Sequence, residues 1–189
     1  DWRVNIPGNA SVLLNNGDGS FATAAFYSAG DTPRSVALGD LDGDGDLDMA
    51  LANQGSHDVS VLLNGGDGSF ADQTSYAAGD SPQSVALGDL DGDGDLDIAV
   101  ANFHSYDLGS GAVSVLLNNG DGTFGDLTTY MAGDDPLDVA LGDLDGDLDL
   151  DLVVTNTLSD DVSVLLNNGN GTFTDQTHLA TGEGPMGPS

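Results

Sequence analysis

Cysteine is absent from this 189-residue chain, so no disulfide framework, thiolate nucleophile or thiolate metal site is open to it. Lysine is absent as well, and Arg3 and Arg34 are the only bases. Set against 32 acids, they leave a formal net charge of −30. Nucleic-acid phosphates would be repelled by such a chain, and so would an anionic membrane surface. No apolar run approaches the ~18 residues of a membrane-spanning helix, so no membrane insertion is expected. No segment sustains a 3.6-residue apolar period for about ten residues, so no helix is expected either. Glutamate is nearly missing: Glu183 stands alone beside 31 aspartates. A purely solvating acidic surface would use both residue types. Aspartate alone points to turns and oxygen-ligand loops, where a short carboxylate works beside the backbone. The chain opens at Asp1 without an initiator Met and reads as a processed or excerpted product.

Repetition dominates what is present. The string SVLLN starts at Ser11, Ser60, Ser114 and Ser163, at spacings of 49, 54 and 49. ALGDLDGD starts at Ala37, Ala86 and Ala140. Each unit runs SVALGD, an aspartate loop, LDIAVAN, a short link, VSVLLNNGDGTF and a closing segment such as ADQTSYAAGD. Short runs rich in Val, Leu, Ile and Tyr, separated by Asn, Asp and Gly, are strand and hairpin signals. Four strands per unit of about 50 residues is the count of a β-propeller blade. The expected fold is therefore all-β, with three complete four-stranded antiparallel blades and one partial blade, forming an open arc or part of a larger ring. Residues 1–182 form one repeat domain, with a partial blade at about 1–30 and complete blades at 31–79, 80–133 and 134–182. A Gly/Pro-rich tail follows at 183–189. Phe21, Phe70, Phe124 and Phe173 recur in one register, each followed six residues later by Tyr27, Tyr76, Tyr130 or Leu179. Both sets are expected in the core between blades.

The aspartate loops carry the chemistry. In the first, Asp40, Asp42 and Asp44 hold positions 1, 3 and 5, Gly45 holds 6, Asp46 offers its carbonyl at 7, and Asp48 holds 9. Alternate side chains converge while the glycine permits a sharp turn. Hard oxygen ligands in this number suit Ca²⁺ better than Mg²⁺, which sheds its waters reluctantly. Transition metals would recruit imidazole or thiolate, and the loops have neither. The second loop repeats the pattern with Asp89, Asp91, Asp93, Asp95 and Asp97. The third has Asp143, Asp145, Asp147, Asp149 and Asp151, but Leu148 replaces the position-6 glycine, so a weaker or differently shaped site is expected there. An EF-hand would need a glutamate at position 12, where Leu51 and Val100 stand, and flanking helices.

On ALGDLDGDGDLDIAVAN followed by VSVLLNNGDGTF, the chain resembles the FG-GAP / VCBS repeat family of integrin-α-like propellers, over about residues 9–180. The resemblance implies that the D-x-D-x-D-G-x-x-D loop joins the first two strands of a blade and holds Ca²⁺. It implies a secreted or cell-surface protein serving adhesion, carbohydrate binding or scaffolding. The expected function is a calcium-binding extracellular assembly module. Alternatives are a carbohydrate-binding or adhesion propeller, or the non-catalytic propeller of a larger secreted enzyme. Partners would be a second copy, the remainder of a longer propeller, or glycans.

Other features are weaker. The NNGDGT copies read as hairpin turns, since the last has Asn170 where Asp18, Asp67 and Asp121 stand in the others. Asn9 and Asn170 begin glycosylation acceptor patterns. Five extra residues in the third unit place Phe103, His104, Tyr106 and Asp107 in a longer loop, expected at the end of the blades opposite the aspartate loops and the one candidate for a ligand patch. His57 and His178 read as isolated and exposed. No Ser-His-Asp or Cys-His arrangement is readable, so no enzymatic activity is expected.

Overall fold

Runs of small and branched apolar residues, closed off by Asp, Asn and Gly, give strands of four to seven residues wherever the repeat places them. The computed structural model describes residues 7–103 and 111–181. Within these, β1 (Pro7–Val12) and β2 (Ala25–Asp31) form a two-stranded antiparallel sheet. A first complete sheet follows with β3 (Pro33–Gly39), β4 (Asp48–Asn53), β5 (Asp58–Leu62) and β6 (Thr74–Ala77), in chain order. The second holds β7 (Pro82–Gly88), β8 (Asp97–Asn102), β9 (Ala112–Leu116) and β10 (Thr128–Met131). The third holds β11 (Pro136–Gly142), β12 (Asp151–Asn156), β13 (Asp161–Leu165) and β14 (Thr177–Ala180). Each sheet is a four-stranded antiparallel meander, as the repeat predicts. The sheets pack face to face in series, β3 and β4 against β7, and β7 and β8 against β11.

Every inner strand begins with a proline and a register irregularity, at Pro33, Pro82 and Pro136. Proline cannot donate to the ladder, so the strand's first position is where it is tolerated. The antiparallel meander puts the β3–β4, β7–β8 and β11–β12 loops at one end of the blades. The β4–β5 and β12–β13 connections and the blade-to-blade links lie at the other end.

The core lies between blades. One buried cluster includes Leu41, Ala50, Val61, Val85, Ile98 and Phe124, from the first and second complete blades. Its counterpart one repeat later includes Leu90, Ala99, Val115, Val139, Leu152 and Phe173. β4 and β8 are buried along their whole length because each is covered on both faces. The aromatic pairs follow the same joint. Tyr27–Phe70, Tyr76–Phe124 and Tyr130–Phe173 meet edge to face at 5.2–5.3 Å, each pair crossing from one blade to the next. Phe21 and Leu179, the two members of these series left at the ends, are exposed.

Close approach explains one recurring glycine. A Cβ on Gly39 would stand 2.6 Å from Leu96 Cδ1, and one on Gly88 would stand 2.6 Å from Leu141 Cδ1. The inner-strand glycines of the first and second complete blades thus receive leucines of the following blade.

Candidate metal centres

Each aspartate loop leaves an inner strand and returns as the second strand, so its first and last carboxylates are set by the ladder. Gly39 pairs with Asp48, Gly88 with Asp97, and Gly142 with Asp151. The last aspartate is buried in all three loops. Its two oxygens accept backbone amides from either side. Asp48 takes Leu41 N–H at 2.8 Å and Asn64 N–H at 2.7 Å. Asp97 takes Leu90 N–H at 2.7 Å and Asn118 N–H at 2.8 Å. Asp151 takes Leu144 and Asn167 N–H, both at 2.8 Å. This carboxylate therefore ties the loop to the following hairpin. The first aspartate folds the loop over itself: Asp40 accepts Gly43 N–H at 2.8 Å and Gly45 N–H at 3.0 Å.

Three carboxylates per loop converge. Asp40, Asp42 and Asp48 offer oxygens that all lie within 4.8 Å of one another, as do Asp89, Asp91 and Asp97, and Asp143, Asp145 and Asp151. Each carboxylate has about four lone-pair directions, so those already accepting amides can still coordinate. The position-5 residues, Asp44, Asp93 and Asp147, stand outside these groups, and each accepts the amide two residues on at 2.9–3.0 Å. Asp46, Asp95 and Asp149 turn their side chains to the neighbouring hairpin. Their Oδ2 atoms lie 2.8, 2.6 and 2.5 Å from where a Cβ on Gly66, Gly120 and Gly169 would be.

The clustered charges have electrostatic consequences. Loss of hydration raises Asp42 above the usual carboxylate range, and the charges of Asp48, Asp44 and Asp40 add to it. Asp91 and Asp145 are raised for the same reasons. Burial pushes Asp97 up to about 6, against the Asn118 and Leu90 amides that favour its charged form. A carboxylate group held together at this cost is suited to a cation. The donor set is all oxygen. Separations up to 4.8 Å fall within twice a Ca²⁺–oxygen distance of ~2.3–2.6 Å. The residues present therefore fit a hard divalent ion.

Position 6 has a left-handed backbone in all three loops: φ is 94° at Gly45, 98° at Gly94 and 80° at Leu148. Leu148 keeps the turn, donates its amide to Asp143 Oδ2 at 3.2 Å, and holds its side chain 87% exposed. The third group forms despite the substitution.

The NNGDGT turns are closed by their own hydroxyls. Ser20 Oγ donates to Asp18 at 2.6 Å and Thr123 Oγ1 to Asp121 at 2.5 Å. Hydroxyl and amide donors lower Asp18, Asp67 and Asp121. Asn170 serves equally, accepting Thr172 Oγ1 at 2.6 Å, which explains why an amide can replace the acid there. His178 is exposed as expected, but neither histidine is isolated. His57 is half-buried and its Nδ1 accepts Ser81 N–H at 2.9 Å, while His178 Nδ1 lies 2.9 Å from Asp161 Oδ2. In the candidate ligand loop, Phe103 closes β8 with its amide donating to Ser81 O at 3.2 Å. His104, Tyr106 and Asp107 lie outside the described residues.

Sequence reasoning passes over one residue series. Asn118 Nδ2 donates to Leu41 O of the preceding blade at 2.8 Å and to Leu96 O at 3.0 Å. Asn167 does the same to Leu90 O and Leu150 O. The signal is the Asn that ends each SVLLN string.

Comparison with known proteins finds a similar fold. The chain aligns with 47% of an Agrocybe aegerita lectin, described by its recognition of non-reducing terminal N-acetylglucosamine. That match covers 92% of this chain at 24% identity and a TM-score of 0.59. It also aligns with 8% of a Photorhabdus luminescens Tc holotoxin pore chain, covering 94% of this one at 23% identity and TM-score 0.45. A third alignment is to the V. cholerae biofilm matrix protein Bap1, with 94% and 40% covered, 20% identity and TM-score 0.37. The chain thus spans less than half of each of these proteins. No curated protein matches it. The FG-GAP-like repeat model matches residues 3–51, 40–100, 103–154 and 143–189, and with a blade and an aspartate loop in each complete repeat, the chain belongs to the FG-GAP-like repeat family.

Proposed function

We propose that the chain is a calcium-stabilised structural module of an extracellular propeller, without enzymatic activity, whose blades are locked by one ion per aspartate loop. The observation that carries this reading is the threefold convergence of carboxylates within 4.8 Å, each group anchored by a buried aspartate bonded to the hairpin of its own blade. Ca²⁺ supplies the positive charge that such a group lacks. Metal binding is then folding free energy, because the site forms only when strand, loop and hairpin are together. An extracellular setting fits, since millimolar Ca²⁺ is the range in which extracellular modules bind it.

Calorimetric titration of chelator-treated chain tests this. Two tight sites and a weaker third are expected, the third being the Leu148 loop. Asp48→Asn and Asp97→Asn should each remove one site. Heat-free titration at every concentration, with a melting midpoint indifferent to chelator, would refute the calcium reading.

A second reading is glycan binding, favoured by the lectin among the similar structures. A glycan array with the calcium-loaded chain separates it from a purely structural role, and 103–107 is the first loop to substitute if sugars bind.

A further inference from the structure

Asn118 and Asn167 each join two aspartate loops. Leu41, the second residue of the first loop, donates its amide to Asp48 Oδ2 and accepts Asn118 Nδ2 on its carbonyl, both at 2.8 Å. Asn118 in turn donates its backbone amide to Asp97 Oδ1, on the buried carboxylate of the second loop, at 2.8 Å. Asp97 Oδ2 takes the Leu90 amide at 2.7 Å, and the Leu90 carbonyl accepts Asn167 Nδ2 at 2.8 Å. Asn167 ends the series by donating its backbone amide to Asp151 Oδ1 at 2.8 Å. The buried carboxylates of all three loops thus lie on one continuous path of short hydrogen bonds.

Asparagine suits this place because one side chain serves two loops at once. Its amide nitrogen carries two N–H groups. In Asn118 one goes to Leu41 O of the preceding blade and the other to Leu96 O, beside Asp97, at 3.0 Å. The remaining Oδ1 accepts Gly120 N–H at 3.0 Å and so fixes the hairpin. Asn167 repeats the set with Leu90 O, Leu150 O and the Gly169 amide. Both residues are buried, so water does not compete for these bonds. A second contact runs alongside. Asp42 Cβ lies 3.4 Å from where a Cβ on Gly122 would be, and Asp91 Cβ lies 3.3 Å from that point on Gly171. Each loop therefore takes its shape while seated on the hairpin that holds the next loop's buried carboxylate.

We propose that calcium binding at successive loops is positively coupled through Asn118 and Asn167, two positioning residues that are not themselves ligands. The inference rests on the calcium reading above. An ion in one loop supplies the charge that lets its carboxylates sit together. With that loop ordered, the Leu41 peptide is held where Asn118 can bond it. Asn118 then holds its own hairpin, and with it Asp97, in place for the second loop. The ordering is carried out once and shared, so the next loop has less left to order. Charge alone gives the opposite sign, since filling one loop lowers the negative potential that draws an ion to its neighbour. Positive coupling is thus a signature of the hydrogen-bonded path. It is reciprocal: the second loop favours the first by the same factor.

A nuclear magnetic resonance titration of chelator-treated chain with CaCl₂ reads each loop separately. The reporters are the amides of Gly45, Gly94 and Leu148, which donate to Asp40, Asp89 and Asp143. Asp40→Asn alters a carboxylate outside the path and should empty the first loop. It should raise the calcium concentration at which Gly94 shifts about five-fold or more, the lower end of ordinary coupling between sites. With Asn118→Ala also present, Asp40→Asn should move the Gly94 midpoint by less than about two-fold, as independent sites do. Asp89→Asn read at Leu148, with and without Asn167→Ala, repeats the cycle across the second joint, so the result does not depend on one variant folding. Phe124→Leu loosens the first joint without touching the path and should leave the Asp40→Asn effect intact. If it abolishes that effect as fully as Asn118→Ala does, joint packing is responsible and the inference falls. A Gly94 midpoint that ignores Asp40→Asn, or moves equally when Asn118→Ala is present, overturns the coupling and leaves the calcium reading standing. Amides that ignore calcium in all three loops of the unsubstituted chain overturn the calcium reading and the coupling with it.

Discussion

Leu148 shows what one side chain costs a metal loop. Its φ of 80° is one a leucine adopts only against the clash of its Cβ with the following carbonyl, and the exposed side chain gains no burial in return. Leu148→Gly should therefore raise stability by about 1 kcal/mol, or roughly 2–4 °C in melting midpoint for a chain of this size. On the calcium reading it should also tighten the third site, and differential scanning calorimetry with and without the ion checks both. Asp97 makes the complementary case. Its carboxyl, pushed up to about 6 by burial, binds a proton more tightly in the metal-free fold than in the unfolded chain. That contribution is fully present below about 4 and is lost as pH rises through about 6. A bound cation favours the ionised form instead, so protons compete with it. Calcium affinity at this loop should fall as pH drops through about 6, while the metal-free chain gains stability over the same interval. Titrations and melts at pH 5 to 7 read the opposite signs directly, and affinity independent of pH would exclude Asp97 as a ligand.

Strands and loops here are stabilised mainly by what crosses from blade to blade. Asn118 bonds two carbonyls, one of them 77 residues away at Leu41. Asn118→Ala leaves those buried carbonyls without the donor and should cost about 1–3 kcal/mol by chemical denaturation. Asn15, its equivalent in the two-stranded sheet, is exposed, and the same change there should be close to neutral in a monomer. The inner-strand glycines give a second contrast. A methyl at Gly39 meets Leu96 and Leu87, whereas one at Gly142 meets nothing within 4 Å. Gly39→Ala should destabilise by about 1–3 kcal/mol as an overpacked joint, and Gly142→Ala by almost nothing. These positions also show where the sequence is legible. SVLLN and the aspartate spacing reveal the blades, because a period of 49 residues with turn residues at fixed offsets leaves few arrangements. The same spacing brings Asp40, Asp42 and Asp48 together. Repetition shows that the Asn of SVLLN recurs but not what it touches, since its partner belongs to another repeat. It likewise cannot reveal that His57 accepts the Ser81 amide, a contact made by the local path of one link.

For the molecule as a whole, charge sets the balance. At −30 the compact state repels itself, and neutralisation of the three loops would leave it near −24. Two effects of calcium must then be told apart: general screening, which any salt provides, and occupation of the loops. Screening depends on ionic strength alone, with a Debye length falling from about 8 Å at 0.15 M to 3 Å at 1 M. Occupation depends on the free ion relative to its dissociation constant, and contributes about 2.7 kcal/mol per site at a hundredfold excess. One site filled to that extent should raise the melting midpoint by roughly 5–10 °C. At fixed ionic strength, replacing part of the NaCl with CaCl₂ should therefore raise the midpoint steeply, and replacing it with MgCl₂ much less, because Mg²⁺ surrenders its waters reluctantly to a protein cage. Sodium chloride added to chelated chain should recover only a small part of the difference, since the clustered carboxylates lie closer together than any Debye length attained. Equal midpoints in the two divalent salts at every ratio would mean that the loops are screened rather than filled. The blades would then owe their order to the joints between them and not to the ions.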